Sequence, residues 1–182
     1  MKVSIPLSKA NRLINHGPAV LVTSHSGGKQ GVMTAAWQTP VSHHPPLVAI
    51  SIAPERYTHH LIEESREFVI NVPAQDLLQK VHGCGTVSGR KVNKFGRFGL
   101  TPIAGATVQA PLIEECIGHL ECTLVASHTV GDHTLFVGEV LSASVEADLF
   151  DDFWKVGNPR AKTLHHLGSD KYTCPHGQIE PQ

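Results

Sequence analysis

The chain has no long apolar run. Nowhere among its 182 residues is there a stretch approaching the roughly 20 apolar residues needed to span a bilayer, so a soluble protein with no membrane partner is expected. It also lacks a bias of charge. Fifteen Lys and Arg stand against 16 Asp and Glu, for a formal net charge of -1, which excludes a global attraction to nucleic acid and makes any anion site a local one. The four cysteines, Cys84, Cys116, Cys122 and Cys174, have no tight pairwise spacing. The opening "MKVSIPLSKANRLINHG" lacks the basic-then-apolar order of a signal peptide, so a reducing cytoplasm is expected. There is no Gly-x-Ser-x-Gly elbow for a serine hydrolase and no Gly-x-Gly-x-x-Gly for a separate nicotinamide domain. Thirteen histidines invite a metal reading, but His43–His44, His59–His60, His165–His166 and "CPH" at 174–176 form no Cys-x-x-Cys or His-x-x-x-His unit, so no structural zinc is expected. No repeat or low-complexity tract divides the chain, and its length suits one domain.

What is present is β-patterned. "AVLVTSH", "SGGKQ" and "GVMTAAW" read as strand, glycine turn and strand, and "LVAISIA" reads as a strand buried on both faces. "FVINVP" is a further strand. From Leu112 onward, "LIEECIGHLECTLVASHTV" and "HTLFVGEVLSASVEA" are two long strand runs joined by Gly131 and Asp132. Short helices are predicted at "THHLIEESRE", "AQDLLQKVHGCG" and within "GRKVNKFGRFG". An opening helix is predicted over "SKANRLINHG", with Ser8 as N-cap, Leu13 and Ile14 as its apolar face and Gly17 as its stop. Six or seven mostly antiparallel strands with three short inserted helices suit a small closed barrel, which removes exposed sheet edges. The segment from Trp37 to Pro46 reads as a long connection ending in "HHPP", a proline arm that cannot easily pair as a strand. The tail "LHHLGSDKYTCPHGQIEPQ" is polar and rich in turns, as expected of a strap over the body or a partner.

Several residues suit a phosphorylated, planar ligand. Ala35 and Ala36 beside Thr34 allow close approach of a flat molecule, and Trp37 offers a planar face, against the alternative that it anchors the core. Thr58 stands where a helix begins, so it and the free N–H groups of the first turn either cap the helix or hold a phosphate. "TVSGRKVNKF" concentrates Ser88, Arg90, Lys91 and Lys94, the arginine offering a fork that matches phosphate oxygens, against the alternative of a solvated surface. "SGGK" at 26–29 is a hairpin turn rather than a P-loop. Cys84 in "HGCGT" reads as an inert, partly buried thiol.

Taken in order, "GVMTAAWQTPVSHHPPLVAISIAPERYTHHLIEESREFVINVP", "TVSGRKVNKF", "LIEECIGHLECTLV" and "HTLFVGEVLSA" resemble the flavin reductase-like family with the FMN-binding split barrel, in particular its flavoredoxin-like branch. The resemblance covers Ser8 to Val145 and extends more weakly to "LHHLGSDKY". It implies a six-stranded antiparallel Greek-key split barrel with a few short helices over residues 1–160, and a tail of residues 161–182 packing on the barrel or a dimer partner. It further implies a homodimer binding FMN, with NADH, NADPH or a protein electron carrier as donor, and free flavin, ferric iron or a protein as acceptor. Thr34, Ala35, Ala36, Trp37 and Gln38 would surround the flavin, Ser51, Ile52 and Ala53 would place backbone against its ring, and Thr58, Ser88, Gly89, Arg90 and Lys94 would face the phosphate. No side chain need act as a catalytic acid or base. His165, His166 and Tyr172 would close over the open ring face. The chain departs from the family pattern in carrying Gly31 and Val32 where an Asn is frequent, and Asn93 where an acid precedes Lys-Phe. Two other functions remain open: an FMN electron carrier without nicotinamide turnover, and a metal-binding protein using the surplus histidines.

Overall fold

The computed structural model describes residues 1–181; Gln182, the last residue of the expected tail, lies outside the described residues. A 3-10 stretch over Leu7–Leu13 leads to strands β1 (Val20–Ser26), β2 (Lys29–Ala35), β3 (Gln38–Ser42) and β4 (Leu47–Ile52), then helix α1 (Tyr57–Ser65) and β5 (Glu67–Val72). Helices α2 (Leu78–Thr86) and α3 (Lys94–Phe98) follow, then the short strands β6 (Pro102–Ile103) and β7 (Leu112–Ile113), and the two long strands β8 (Gly118–Val130) and β9 (His133–Val145). A hairpin of β10 (His165–Gly168) and β11 (Lys171–Thr173) closes the chain.

Seven strands form one antiparallel sheet in the order β2-β1-β5-β8-β9-β4-β3. Flat, its two edges would lie roughly 29 Å apart, given about 4.8 Å between neighbouring strands. Yet the edge strands β2 and β3 are consecutive in the chain and joined only by Ala36 and Trp37, a link that reaches about 11 Å at most. The sheet must therefore curl until its edges meet, leaving a split between β2 and β3 with Trp37 on its lip. The mostly β, antiparallel split-barrel architecture with a few short helices is the one expected.

Alternation along β1 divides the core. Val20 and Val22 point into the barrel with Ile50, Phe68, Ile70 and Phe136, while Ala19 and Leu21 face the outer layer of Val81, Cys84, Phe95 and Ile113. Packing is tight at Gly138 on β9, where an added Cβ would stand 2.5 Å from Phe68 Cζ, so glycine is what allows the fully buried phenylalanine to pack across to β9. The turns form as expected at Gly27 and Gly28 (φ 55° and 76°) and at Gly131 (φ 62°), conformations that glycine adopts without a Cβ clash.

Two expectations are corrected. The segment read as one long connection contains β3, which pairs with β4 through Gln38↔Ile50, Thr39↔Ala49 and Pro40↔Val48. Pro40 is tolerated because β3 is an edge strand, where a missing N–H interrupts no ladder; the turn itself is confined to residues 43–46. The N-terminal α-helix is absent: the 3-10 stretch begins after Pro6 with no side-chain cap and buries no residue, and Leu13 and Ile14 are 68% and 83% exposed. Leu7, Leu13 and Ile14 are all exposed and bury nothing against the body, so no packing stabilises a longer helix there. The tail is tied in by Ala161 and Leu164, both buried, by Thr163 bridging to Ala74 and by the Ala19 N–H donating to the Leu164 carbonyl at 2.8 Å.

The loop before β7 hangs on one buried carboxylate. Glu121 accepts from the backbone N–H groups of Ala106 (3.1 Å), Thr107 (2.7 Å) and Val108 (3.1 Å) and from the Thr107 hydroxyl (2.9 Å). Burial alone would raise its pKa, but these donors outweigh burial and hold it below the ordinary glutamate value. A depressed carboxylate pKa stabilises the fold above the unfolded-state pKa and loses that contribution as pH falls through the folded value. Glu121→Ala is therefore expected to destabilise the protein by about 3 kcal/mol at neutral pH, the scale of leaving several buried donors unpaired. Denaturant titrations should show the gap between wild type and variant narrowing as pH falls below about 5, through the glutamate range; a gap independent of pH would exclude this ionised role.

Candidate functional site

The split opens into a cavity of about 440 Å³, within the size range of small-molecule and cofactor sites. One wall is the end of β2, the Ala36–Trp37 link and, across the split, Ser51, Ile52 and Ala53 at the end of β4. The opposite wall is the start of α1 with Tyr57 and Thr58, the end of α2 and the following loop to Gly89, and Lys94 at the start of α3. His133 stands at the mouth, its ring tilted 34° against Trp37 with centroids 4.8 Å apart.

Of the thirteen residues singled out from sequence, eleven line this cavity: Thr34, Ala35, Ala36, Trp37, Ser51, Ile52, Ala53, Thr58, Ser88, Gly89 and Lys94. Gln38 does not. Its Nε2 donates to the Pro18 carbonyl at 2.5 Å, because the first residue of β3 turns back toward the chain entering β1. Arg90 does not either. A tight turn, in which Lys91 N–H donates to the Ser88 carbonyl at 3.1 Å, sends its guanidinium over the far face of Tyr57, 5.4 Å from the ring centroid. Trp37 is no core anchor, being 39% exposed. With its amide turned to satisfy both groups, Asn15 accepts from Trp37 Nε1 at 2.6 Å and donates to the Ala36 carbonyl at 3.2 Å, which pins the lip to the N-terminal segment.

Thr58 is the second residue of α1 and buried; the N-cap position belongs to Arg56. Thr58 therefore contributes one of the first-turn N–H groups that lack a helical partner. Gly31 faces it: a Cβ there would sit 2.6 Å from Leu61 Cδ1 and 3.5 Å from Thr58 Oγ1, so a larger residue at this position requires the Leu61 side chain to shift. A Cβ at Gly89 would likewise stand 2.8 Å from Tyr57 Cδ1. Thr34 anchors the other wall through its hydroxyl, which donates to the Val81 carbonyl at 2.5 Å.

The electrostatic centre is Lys94, only 7% exposed. Its ammonium donates to the Cys84 carbonyl at 2.6 Å, and among the described residues it has no carboxylate partner within salt-bridge distance. Burial lowers its pKa most; the Cys84 thiol acts upward, and the nearby Arg56 adds to the lowering. An unpaired, desolvated cation of this kind is stabilised by an anion entering the cavity. The sequence reading missed Glu55, Arg56, Tyr57 and His133, all in the lining, Glu55 being its one carboxylate. Arg56 and Tyr57 adjoin Thr58 at the helix start, and His133 directly follows the Gly131–Asp132 turn, so position beside recognised signals was the available clue.

A second cavity of about 340 Å³ shares Thr34, Ala36, Trp37 and Arg56 with the first, and adds Arg12, Asn15, His82, His166 and Tyr172. The His166 and Tyr172 rings lie 5.2 Å apart, tilted at 55°, so the tail does reach the site's rim. His165 lies apart, bridged to Pro18. Among the described residues no three His, Cys, Asp or Glu converge as a metal set, and no helix is long and apolar enough to cross a membrane.

The comparisons with known proteins agree with this geometry. The flavin reductase like domain matches residues 12–165, and the chain belongs to that family. It is 37% identical over 176 residues to the YddH protein of Escherichia coli K12, covering 93% of each chain. Flavoredoxin from Methanosarcina acetivorans superposes with a TM-score of 0.88 at 27% identity, covering all of this chain and 95% of that one. An FMN-binding domain of a flavin reductases-like enzyme from Shewanella baltica superposes with a TM-score of 0.83 at 28% identity, covering 99% and 97%.

The cysteines yield a test of the site's chemistry. Burial pushes the Cys84 thiol up to about 11, against a downward pull from Lys94, and pushes Cys122 up to about 12. Both are fully buried, as is Cys116, whereas Cys174 is half-buried. A thiol reagent at pH 8 should label Cys174 alone in the native protein and all four thiols after denaturation. Fast native labelling of Cys84 would show a reactive thiol in the cavity wall instead.

Proposed function

We propose that the cavity holds FMN and that the protein is an FMN-dependent oxidoreductase, taking electrons from NADH, NADPH or a reduced carrier and passing them to free flavin, ferric iron or a protein acceptor. The observation that carries this reading is Lys94, a buried ammonium without a carboxylate, at the end of a cavity lined also by Thr58, Ser88 and Gly89. A terminal phosphate supplies the missing counter-charge and accepts hydrogen bonds from Lys94, the hydroxyls and first-turn N–H groups. At the other end Ala35 and Ala36 leave room for a planar ring against backbone, and Ser51, Ile52 and Ala53 form the facing wall. FMN, when bound, supplies the electron-accepting chemistry. The chain's own groups bind and orient it, and Trp37 with His133 screens one approach from water.

The second cavity supports a nicotinamide donor. It meets the flavin site along Thr34, Ala36 and Trp37, and among its lining residues Arg12, Arg56, His82 and His166 stand without a carboxylate. The likeness to a flavoredoxin supports the other reading, an electron carrier loaded with FMN that does not turn over a nicotinamide. We extend the proposal to a homodimer in a reducing cytoplasm. The exposed Leu7, Leu13 and Ile14 are apolar surface of the kind a subunit contact covers, and all four cysteines are free.

Titration of the apoprotein with FMN should show saturable binding, and Lys94→Met should weaken it by on the order of 10- to 100-fold, the scale of a lost hydrogen bond to a charged group. Unchanged affinity would remove Lys94 from the phosphate site. Anaerobic addition of NADH or NADPH to the FMN-loaded protein should bleach the flavin absorbance within seconds if it is a reductase; a spectrum that only a chemical or protein reductant bleaches identifies the carrier.

A further inference from the structure

We infer that His59 is a positioning residue for the cavity. Its hydrogen bond to Thr134 fixes the start of α1 at the distance from the β4–β9 wall that a phosphorylated flavin spans, and so makes the site select FMN over riboflavin. This rests on the reading of the main cavity as a flavin site with its phosphate at the Thr58–Lys94 end.

The two ends of that cavity belong to separately packed elements. Tyr57 and Thr58 come from α1, which lies against β1 and β2, whereas Ile52 and His133 come from the β4–β9 pair across the split. The helix start has no cap of its own. Its N-cap residue is Arg56, which makes no side-chain cap bond, where Ser, Thr, Asp or Asn would ordinarily fix the first turn. Leu61 and Ile62, both fully buried, anchor the middle of the helix, but apolar burial is non-directional. The first turn is tied instead by His59, its third residue. The imidazole reaches across to β9, where Nε2 stands 2.8 Å from Thr134 Oγ1, the one hydrogen bond between α1 and β9 among the described residues.

Both partners are buried, His59 at 4% and Thr134 at 7% exposure. Nδ1 of His59 lies 3.3 Å from the Glu63 carboxylate, one turn further along α1. That carboxylate draws the ring proton to Nδ1 and leaves Nε2 to accept from the Thr134 hydroxyl. Phe136 backs the ring, with centroids 4.8 Å apart. Glu63, His59 and Thr134 have the order of a hydrolase triad, but Thr134 lines neither cavity, so its hydroxyl does not face a substrate. What the alignment does is set a distance. Thr134 stands opposite Ile52 in the ladder and beside His133, both in the cavity lining, and His59 adjoins Thr58. One bond therefore links the phosphate end to the ring wall, and a ligand gripped at both ends binds best when that separation is preset. A ligand held by its ring alone does not sense it.

The test is fluorescence titration with FMN and with riboflavin, which has the ring and lacks the phosphate. It compares wild type, Thr134→Val, Thr134→Ser and the double variant His59→Phe, Thr134→Val. Thr134→Val leaves Nε2 buried without a donor and should lower the thermal midpoint; the double variant replaces both partners with apolar groups and should recover most of that loss. Wild type should bind FMN about tenfold or more tighter than riboflavin, the scale of hydrogen bonds to a charged group. The double variant should lose about tenfold in FMN affinity, with riboflavin affinity within about twofold. Thr134→Ser, which keeps the hydroxyl, should stay within about threefold of wild type for FMN. A folded double variant with wild-type FMN affinity, or with equal losses for both flavins, would overturn the inference while leaving the FMN reading intact. Should the double variant not fold, the same comparison in Thr134→Val decides. Failure of wild type to bind FMN would remove both.

Discussion

A two-residue link governs this molecule. Ala36 and Trp37 join the two edge strands of a seven-stranded sheet, and a peptide that short cannot reach between the edges of a flat sheet. Curvature, closure and the split follow from that constraint. So does the position of the cavity, because the place where the edges meet without hydrogen bonding is where backbone and small side chains stay accessible. Trp37 ends on the lip by the same necessity, and Asn15 and His133 hold it from two sides.

The second organising feature is the unequal use of charge. With a net charge of -1 the molecule has acids to match its bases, yet several acids are taken up by backbone. Glu121 gathers three loop N–H groups, Glu67 accepts from Gln109 N–H at 2.8 Å, and Glu115 accepts from Thr101 N–H. Such carboxylates order loops that side-chain packing alone would leave loose. Lys94 inside the cavity and Lys29, Arg90 and Lys91 near it make no ion pair among the described residues. A nearly neutral protein thus gathers several unpaired cations along one side of its cavity.

Much of this was legible in the order of residues. The glycine turns at 27–28 and 131 and the long alternating runs that became β8 and β9 are local signals read over a few residues. So is the small-residue stretch Thr34–Ala36, and α1, α2 and α3 arise where turn and periodicity signals placed them. The failures were also local in origin. The segment from Trp37 to Pro46 reads as a connection ending in a proline arm, because whether β3 lies at an edge, where Pro40 is tolerated, is a property of the whole sheet. Leu13 and Ile14 looked like a helix face, because exposure is not written in a short apolar pair.

Local chemistry thus determined the class of fold, the family resemblance and eleven of the residues that share the cavity, since turn geometry, strand alternation and small-residue approach act over a few positions. Only the tertiary structure decided which side of Tyr57 each cation occupies. Ser88 and Arg90 are two residues apart, yet a tight turn and a guanidinium laid over Tyr57 put one in the cavity and the other outside it. The same holds for Arg56, Tyr57 and His133: they meet Trp37 and Lys94 only because the curled sheet and the α1 start bring distant segments to one split. Direction and convergence are set by packing across the molecule, and no spacing along the chain encodes them.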